Sequence, residues 1–93
     1  MTPKETILIV DDEEDILELI KFHLSREGYK LLTAVSGEQA IKIATQSKPD
    51  LIFLDLMLPG MDGLEVTAYL RHNADTRAIP ILMLTAKGEE CNF

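Results

Sequence analysis

The sequence is poor in cysteine and in basic residues: Cys91 is its only cysteine, and nine lysines and arginines stand against sixteen acidic residues. A single cysteine excludes an internal disulfide and fits a reducing cytoplasm. The formal net charge of −7 argues against a surface for nucleic acid or anionic membranes, because both need clustered basic side chains. The chain also lacks a signal-peptide pattern and any apolar run near the roughly 20 residues that span a bilayer. We therefore expect a cytoplasmic protein that contacts neither nucleic acid nor membrane directly.

The length of 93 residues, with 46% hydrophobic and 27% charged residues, is typical of one small globular domain. Short apolar runs alternate along it with segments of helical spacing. The predicted strands are Thr6–Val10 and residues 29–35, 51–54 and 79–84. Because each strand is followed by a helix until the last, the order predicts a parallel sheet with helices on both faces.

The predicted helices have recognisable ends. The first follows the acidic segment 11–15 and stops near Gly28. The second and third begin with the predicted capping boxes Ser36–Gln39 and Asp62–Glu65. They end at residues 48–50 and near His72.

Polar side chains follow three of the predicted strands. Asp11 and Asp12 follow the first, Asp55 closes the third and Thr85 follows the fourth. The carboxyl ends of parallel strands lie along one edge of a sheet, where ligands bind. If the first and third strands are neighbours, about 4.8 Å separates their backbones. We then expect three carboxylates to share one pocket.

Three carboxylates so close repel one another, and two compensations are open. Protonation would raise some of their pKa values. A hard divalent cation such as Mg²⁺ prefers oxygen ligands and keeps several waters. A carboxylate can also act as a nucleophile and form an aspartyl phosphate, with the metal neutralising charge on the phosphoryl group. The hydroxyl of Thr85 would then bond a phosphoryl oxygen.

Three segments together resemble a known family. They are Leu8–Glu13 (LIVDDE), Leu54–Gly63 (LDLMLPGMDG) and Leu82–Ala86 (LMLTA). They look like successive signatures of the receiver domains of bacterial two-component response regulators, and the resemblance covers roughly residues 5 to 90. It implies a flavodoxin-like α/β fold, an open parallel sheet of five strands in the order 2-1-3-4-5 with five helices.

The resemblance also implies a role for each site residue. Asp55 would be the phosphoacceptor, Asp12 a direct Mg²⁺ ligand, and Asp11 a ligand through water. The backbone carbonyl of Met57 would complete the metal site, and Thr85 would be the switch hydroxyl. The phosphoryl donor would be a histidine kinase. The resemblance thus implies a phosphoacceptor signalling module that is not an enzyme.

The end of the chain departs from the family pattern. The family's fifth strand, with its Lys before a Pro, and its final helix are not found, so we expect one incomplete receiver domain over residues 1–93 with strand order 2-1-3-4. Lys87 lies only two residues past Thr85 and is not assigned the role of that lysine. The uncovered edge of the fourth strand, Ile79 to Leu84, is expected to pair with another copy of the chain.

Two functions other than a signalling module are also open. The second hypothesis is a truncated receiver fragment that does not switch and acts only by self-association or partner binding. The third is an aspartyl-nucleophile phosphatase, which would need a second acid two residues after Asp55, where Met57 stands instead. No phosphate-binding glycine motif is present either. Residues 13–15 alone are explained as first-turn acids that suit a helix dipole, but that does not explain Asp11 or Asp55.

Overall fold

The computed structural model describes residues 5–56 and 58–84. Its elements are β1 (Thr6–Val10), α1 (Glu14–Ser25), β2 (Lys30–Ala34), α2 (Gly37–Ser47), β3 (Leu51–Asp55), α3 (Gly63–His72) and β4 (Ile81–Leu84). This alternation confirms the predicted element order. Among the described helices, none is long and apolar enough to cross a membrane.

The four strands form one parallel sheet in the order β2-β1-β3-β4, which confirms the predicted arrangement. The register places Val10 of β1 beside Leu54 of β3 and Ala34 of β2. On the other side of β3, Asp55 pairs with Leu84. Because β1 and β3 are neighbours, the residues that follow them lie at the same edge of the sheet.

The two faces of the sheet build two apolar clusters. Alternate strand residues share a face because side chains along a strand point to opposite sides. One face packs against α2 and α3 and contains the larger cluster, with Leu8, Val10, Ile52, Leu54, Val66 and Leu70 almost fully buried. On the other face, Leu17 of α1 covers Ile7 and Ile9. Each such side chain contributes about 1.5–3 kcal/mol when fully buried.

The helix N-termini differ in how their caps are made. At α3, the Asp62 carboxylate accepts from the Glu65 N–H at 3.0 Å and the Glu65 carboxylate accepts from the Asp62 N–H at 3.1 Å, which confirms that capping box. At α2, the Ser36 hydroxyl accepts from the Gln39 N–H, but the Gln39 side chain accepts from the Val35 N–H at 2.8 Å. The prediction of Ser36 as the N-cap is confirmed, but the return bond of a capping box is wrong, because the Gln39 side chain accepts from Val35 and not from Ser36. Because β2 ends at Ala34, the Val35 N–H does not continue the strand pairing and donates to the side-chain oxygen of Gln39 instead.

Two predicted boundaries also shift. Helix α1 ends at Ser25, and Gly28 lies in the turn beyond it with a φ of +94°. Strand β4 starts two residues later than predicted, because the Ile79 carbonyl accepts from the Arg71 guanidinium at 2.8 Å instead of joining the sheet. The Pro80 carbonyl accepts from the Ile52 N–H at 3.0 Å, so the residue just before β4 is bonded to β3 while Ile79 is bonded to α3.

Candidate functional site

Three carboxylates meet where β1 and β3 end. Asp11 and Asp12 follow Val10 directly, and Asp55 follows Leu54, its partner in the register. One carboxylate oxygen from each of the three acids lies within 4.8 Å of the others. The structure therefore brings together the acids that the sequence placed at this edge.

The three acids differ in exposure. Asp11 is only 5% exposed, Asp55 is partly buried and Asp12 is exposed. The Asp11 N–H donates to the Ala34 carbonyl at 3.1 Å, so its backbone continues the β1–β2 pairing. Its carboxylate accepts from the Glu13 N–H at 2.8 Å. Asp11 is thus fixed inside the site, while Asp12 presents its carboxylate to solvent.

The environment of Asp11 acts on its ionisation. Burial raises the pKa of the Asp11 carboxyl, and the negative charges of Asp55, Asp12 and Glu13 raise it further. The hydrogen bond from the Glu13 N–H lowers it, but the net pKa is above the ordinary Asp value. Keeping Asp11 ionised at neutral pH therefore carries a free-energy cost, which a bound cation would offset.

The donor set fits a hard divalent cation. All three groups offer carboxylate oxygens, the ligands that Mg²⁺ prefers, and Mg²⁺ needs only one or two of them because it retains waters. The exposed Asp12 leaves such waters room on the solvent side. Burial and three acidic neighbours together raise the pKa of Asp11, and a bound cation would offset this concentration of negative charge.

The loop after β3 forms one wall of the site. A pocket of about 510 Å³ opens beside the acids. Its lining combines acidic and apolar residues: Asp12, Leu56, Leu58, Pro59, Asp62 and Leu64. Sequence reasoning missed this pocket. Leu64 is 63% exposed at the start of α3 and lines the pocket, although an apolar residue in a helix is ordinarily expected to face the core.

Gly63 lets α3 begin against the end of β3. Its N–H donates to the Leu56 carbonyl at 3.0 Å. A Cβ at this position would lie 2.8 Å from both the Asp55 carbonyl oxygen and the Leu56 Cα. Only a glycine fits there without moving the backbone that carries Asp55.

Two predicted site residues, Met57 and Thr85, lie outside the described residues, as does Lys87. The region expected to lack the family's lysine also lies there. The register reaches Leu84 beside Asp55, the last described pair of β3 and β4. The roles predicted for Met57 and Thr85 therefore stay predictions.

Comparison with known proteins identifies the family. The response regulator receiver domain model matches residues 7–93. The chain belongs to this family. Among curated proteins, this receiver chain is 55% identical over 84 residues to the alkaline phosphatase synthesis transcriptional regulatory protein PhoP of Bacillus subtilis. It is 51% identical over 88 residues to the phosphate regulon transcriptional regulatory protein PhoB of Pseudomonas aeruginosa. The matches cover 90% and 95% of the receiver chain but only 34% and 38% of those relatives, about a third of their length.

Solved receiver structures share the fold. The N-terminal domain of a response regulator receiver protein from Methanoculleus marisnigri superposes with a TM-score of 0.87 at 42% identity, covering 92% of the receiver chain and 70% of that one. The receiver domain of a sensor histidine kinase from Pseudomonas aeruginosa gives a TM-score of 0.85 at 32% identity, covering 90% of the receiver chain and 69% of that one. That second structure contains a magnesium ion coordinated in its active-site cleft.

Proposed function

We propose that the protein is a phosphoacceptor module of two-component signalling, phosphorylated on Asp55 by a histidine kinase with Mg²⁺. The observation that carries the proposal is the meeting of three carboxylates within 4.8 Å at the ends of β1 and β3. Their unequal burial fits different roles for the three acids, since Asp11 is buried and Asp55 is only partly buried. The proposal treats residues 1–93 as one receiver domain.

Asp55 is the proposed nucleophile because it ends a central strand and keeps part of its surface accessible. Asp12 would hold Mg²⁺ directly and Asp11 through water. As the family resemblance implies, the Met57 carbonyl would be a further metal ligand and the Thr85 hydroxyl the switch hydroxyl. When bound, Mg²⁺ supplies positive charge that neutralises the phosphoryl oxygens. The hydrogen bond from the Glu13 N–H keeps the Asp11 carboxylate oriented for this role.

In the proposed step, a carboxylate oxygen of Asp55 attacks the phosphorus of a phosphohistidine on the kinase. The new O–P bond forms as the N–P bond breaks. The electron pair of the broken bond stays on the imidazole nitrogen, which takes a proton from water. The products are an aspartyl phosphate on this chain and an unmodified histidine on the kinase.

The wider setting of this module is part of the proposal. PhoP and PhoB are named as transcriptional regulatory proteins, and the chain matches about a third of each. With a net charge of −7, the segment itself is proposed to contact no nucleic acid. The cytoplasmic location, the absence of membrane contact and the absence of enzymatic activity stay predictions.

The decisive experiment is an amide NMR titration with MgCl₂ and then beryllofluoride, which mimics the phosphoryl group on an aspartate. We expect a dispersed spectrum with shifts at Asp12 and Asp55 after each addition. The variant Asp55→Asn should keep the dispersed spectrum and lose the beryllofluoride response. Asp50→Asn is the matched control, because Asp50 lies just before β3 begins and its carboxylate accepts from the Thr6 N–H at 2.8 Å. A wild-type spectrum that is dispersed but indifferent to beryllofluoride would contradict the proposal.

A second candidate function is a module that does not switch and acts by self-association through β4. It is favoured by Leu82, which is 51% exposed on a strand that, in the described part of the chain, pairs only with β3. The strand Ile81–Leu84 carries no charge that would discourage pairing with another copy. Sedimentation at rising concentration should show dimers that Leu82→Lys removes. A wild-type monomer at high concentration would refute this candidate and leave the phosphoacceptor proposal intact.

A further inference from the structure

The described part of the loop between β3 and α3, Leu56 and residues 58–62, borders the acidic site. It follows β3 directly after Asp55 and lines the same pocket as Asp12. Its far end is the N-cap of α3, where the capping box fixes Asp62. A displacement of this loop would therefore change the distance between its backbone and the carboxylates.

Gly63 touches the near end of the loop. A Cβ at this position would lie 2.8 Å from the Asp55 carbonyl oxygen and 3.2 Å from the Leu56 carbonyl oxygen. Both neighbours are backbone atoms, so no side-chain rotation can relieve the contact. A methyl group here would have to displace either α3 or the strand end that carries Asp55.

Gly37 touches the far end of the loop from another helix. It is the first residue of α2 and is buried. A Cβ there would lie 2.7 Å from Val66 Cγ2, 2.9 Å from the Met61 carbonyl oxygen and 3.1 Å from Met61 Cβ. The N-terminus of α2, which lines neither the pocket nor the acid cluster, thus rests on the backbone of the loop.

Both positions require glycine because neighbouring atoms leave no room for a Cβ, and not because the backbone has a positive φ. The described glycines with positive φ are Gly28 and Gly60, and neither Gly37 nor Gly63 is among them. An alanine would therefore keep the backbone angles of positions 37 and 63 without strain. The added Cβ would conflict only with the neighbouring atoms of Val66 and Met61, or of Asp55 and Leu56.

We propose that Gly37 and Gly63 are positioning residues of the acidic site, which hold the loop between the N-termini of α2 and α3. The inference rests on the proposed function, since it takes Asp12 and Asp55 as the Mg²⁺ site. A methyl group at position 63 displaces α3 relative to the backbone of Asp55 and Leu56, and one at position 37 displaces the loop backbone at Met61. The metal ligands stay present, but their mutual geometry changes.

The test is the Mg²⁺ dissociation constant of Gly37→Ala and Gly63→Ala, measured by calorimetry on proteins with dispersed NMR spectra. We expect about tenfold weaker binding for Gly63→Ala, the effect typical of losing an outer-shell support, and a smaller loss for Gly37→Ala. Gly28→Ala is the matched control, because its φ of +94° makes alanine strained in the turn before β2, at the sheet edge opposite the acids. It should lose stability and bind Mg²⁺ as the wild type does.

A second pair of variants serves if a single variant does not fold. Val66→Ala removes the methyl group nearest to position 37, so Gly37→Ala in that background keeps only the conflict with the Met61 backbone and Cβ. We expect Gly37→Ala/Val66→Ala to bind Mg²⁺ more weakly than Val66→Ala alone and to shift the Leu56 amide before metal is added. Equal affinities within this pair, or wild-type affinity in both single variants, would overturn the inference. A wild type that binds no Mg²⁺ would instead overturn the proposed function.

Discussion

Replacing Asp11 by asparagine should stabilise the metal-free protein at neutral pH. Asparagine keeps an oxygen that can accept from the Glu13 N–H, at present a 2.8 Å bond, and removes the buried charge. Burial and the acidic neighbours raise the pKa of Asp11, so its ionised form opposes folding. A raised folded-state pKa gives stability that is present below the unfolded value of about 3.9 and lost as pH rises through the folded value. The gain from asparagine should therefore be largest at neutral pH and fade in acid.

Burial of the Asp11 carboxylate is the largest cause of its raised pKa, and the separation of the charges bounds the part that comes from Asp55. Two unit charges at the 4.8 Å limit of this cluster repel by about 3.5 kcal/mol at an effective dielectric of about 20. Solvent around the exposed part of Asp55 reduces that figure, so we expect Asp11→Asn to gain about 1–2 kcal/mol. For a domain of this size, each kcal/mol moves the melting temperature by about 4–8 °C.

Urea unfolding followed by circular dichroism, with EDTA or with excess MgCl₂, measures this gain. With MgCl₂ the order should reverse or the gap should close, because the ion stabilises the wild type more than the variant. Glu14→Gln is the matched control: it removes the same charge from an exposed first-turn position that suits the helix dipole. If Asp11→Asn loses stability in EDTA, or Glu14→Gln gains as much, the electrostatic reasoning is refuted.

Three further substitutions test the fold around the site by urea unfolding. Asp62→Ala removes the N-cap of α3 and should cost about 1 kcal/mol. Thr76→Val removes a buried hydroxyl that donates to the Leu70 carbonyl at 2.8 Å, and should cost about 1 kcal/mol, because that carbonyl keeps its 3.3 Å bond from the Asn73 N–H. Ile52→Ala empties a fully buried position of β3 and should cost about 2–5 kcal/mol. Wild-type midpoints in any of them would contradict the contact concerned.

Much of the fold was predictable because its strands are buried. The apolar run Thr6–Val10 and the one ending at Asp55 lie in the two central strands, where continuous hydrophobicity is expected of a parallel sheet. The strand order was carried by the family resemblance and not by periodicity. The start of β4 was missed because the Ile79 carbonyl accepts from the Arg71 side chain of α3 and not from a neighbouring strand. Such a contact between α3 and a loop leaves no local pattern in the sequence.

The membership of the site was predictable, but its internal differences were not. Parallel topology brings Asp11, Asp12 and Asp55 to one edge whatever their environment. That Asp11 is buried while Asp12 is exposed depends on the bond from the Asp11 N–H to the Ala34 carbonyl, which extends the β1–β2 pairing by one residue. The glycine contacts of the loop were also missed, since a glycine that is required for space looks like any other glycine in a sequence.

The same charges that weaken the metal-free fold are the source of its proposed affinity for Mg²⁺. A site built from Asp11, Asp12 and Asp55 gains attraction to a cation in proportion to the repulsion that the ion relieves. That gain is realised only if the carboxylates cannot move apart when the ion is absent. The hydrogen bond to Asp11 and the close packing at Gly63 prevent such relaxation from two sides of the site. Electrostatic cost and tight positioning would therefore serve the same proposed function: the fold holds its acids together against their repulsion, and a bound cation would relieve that repulsion.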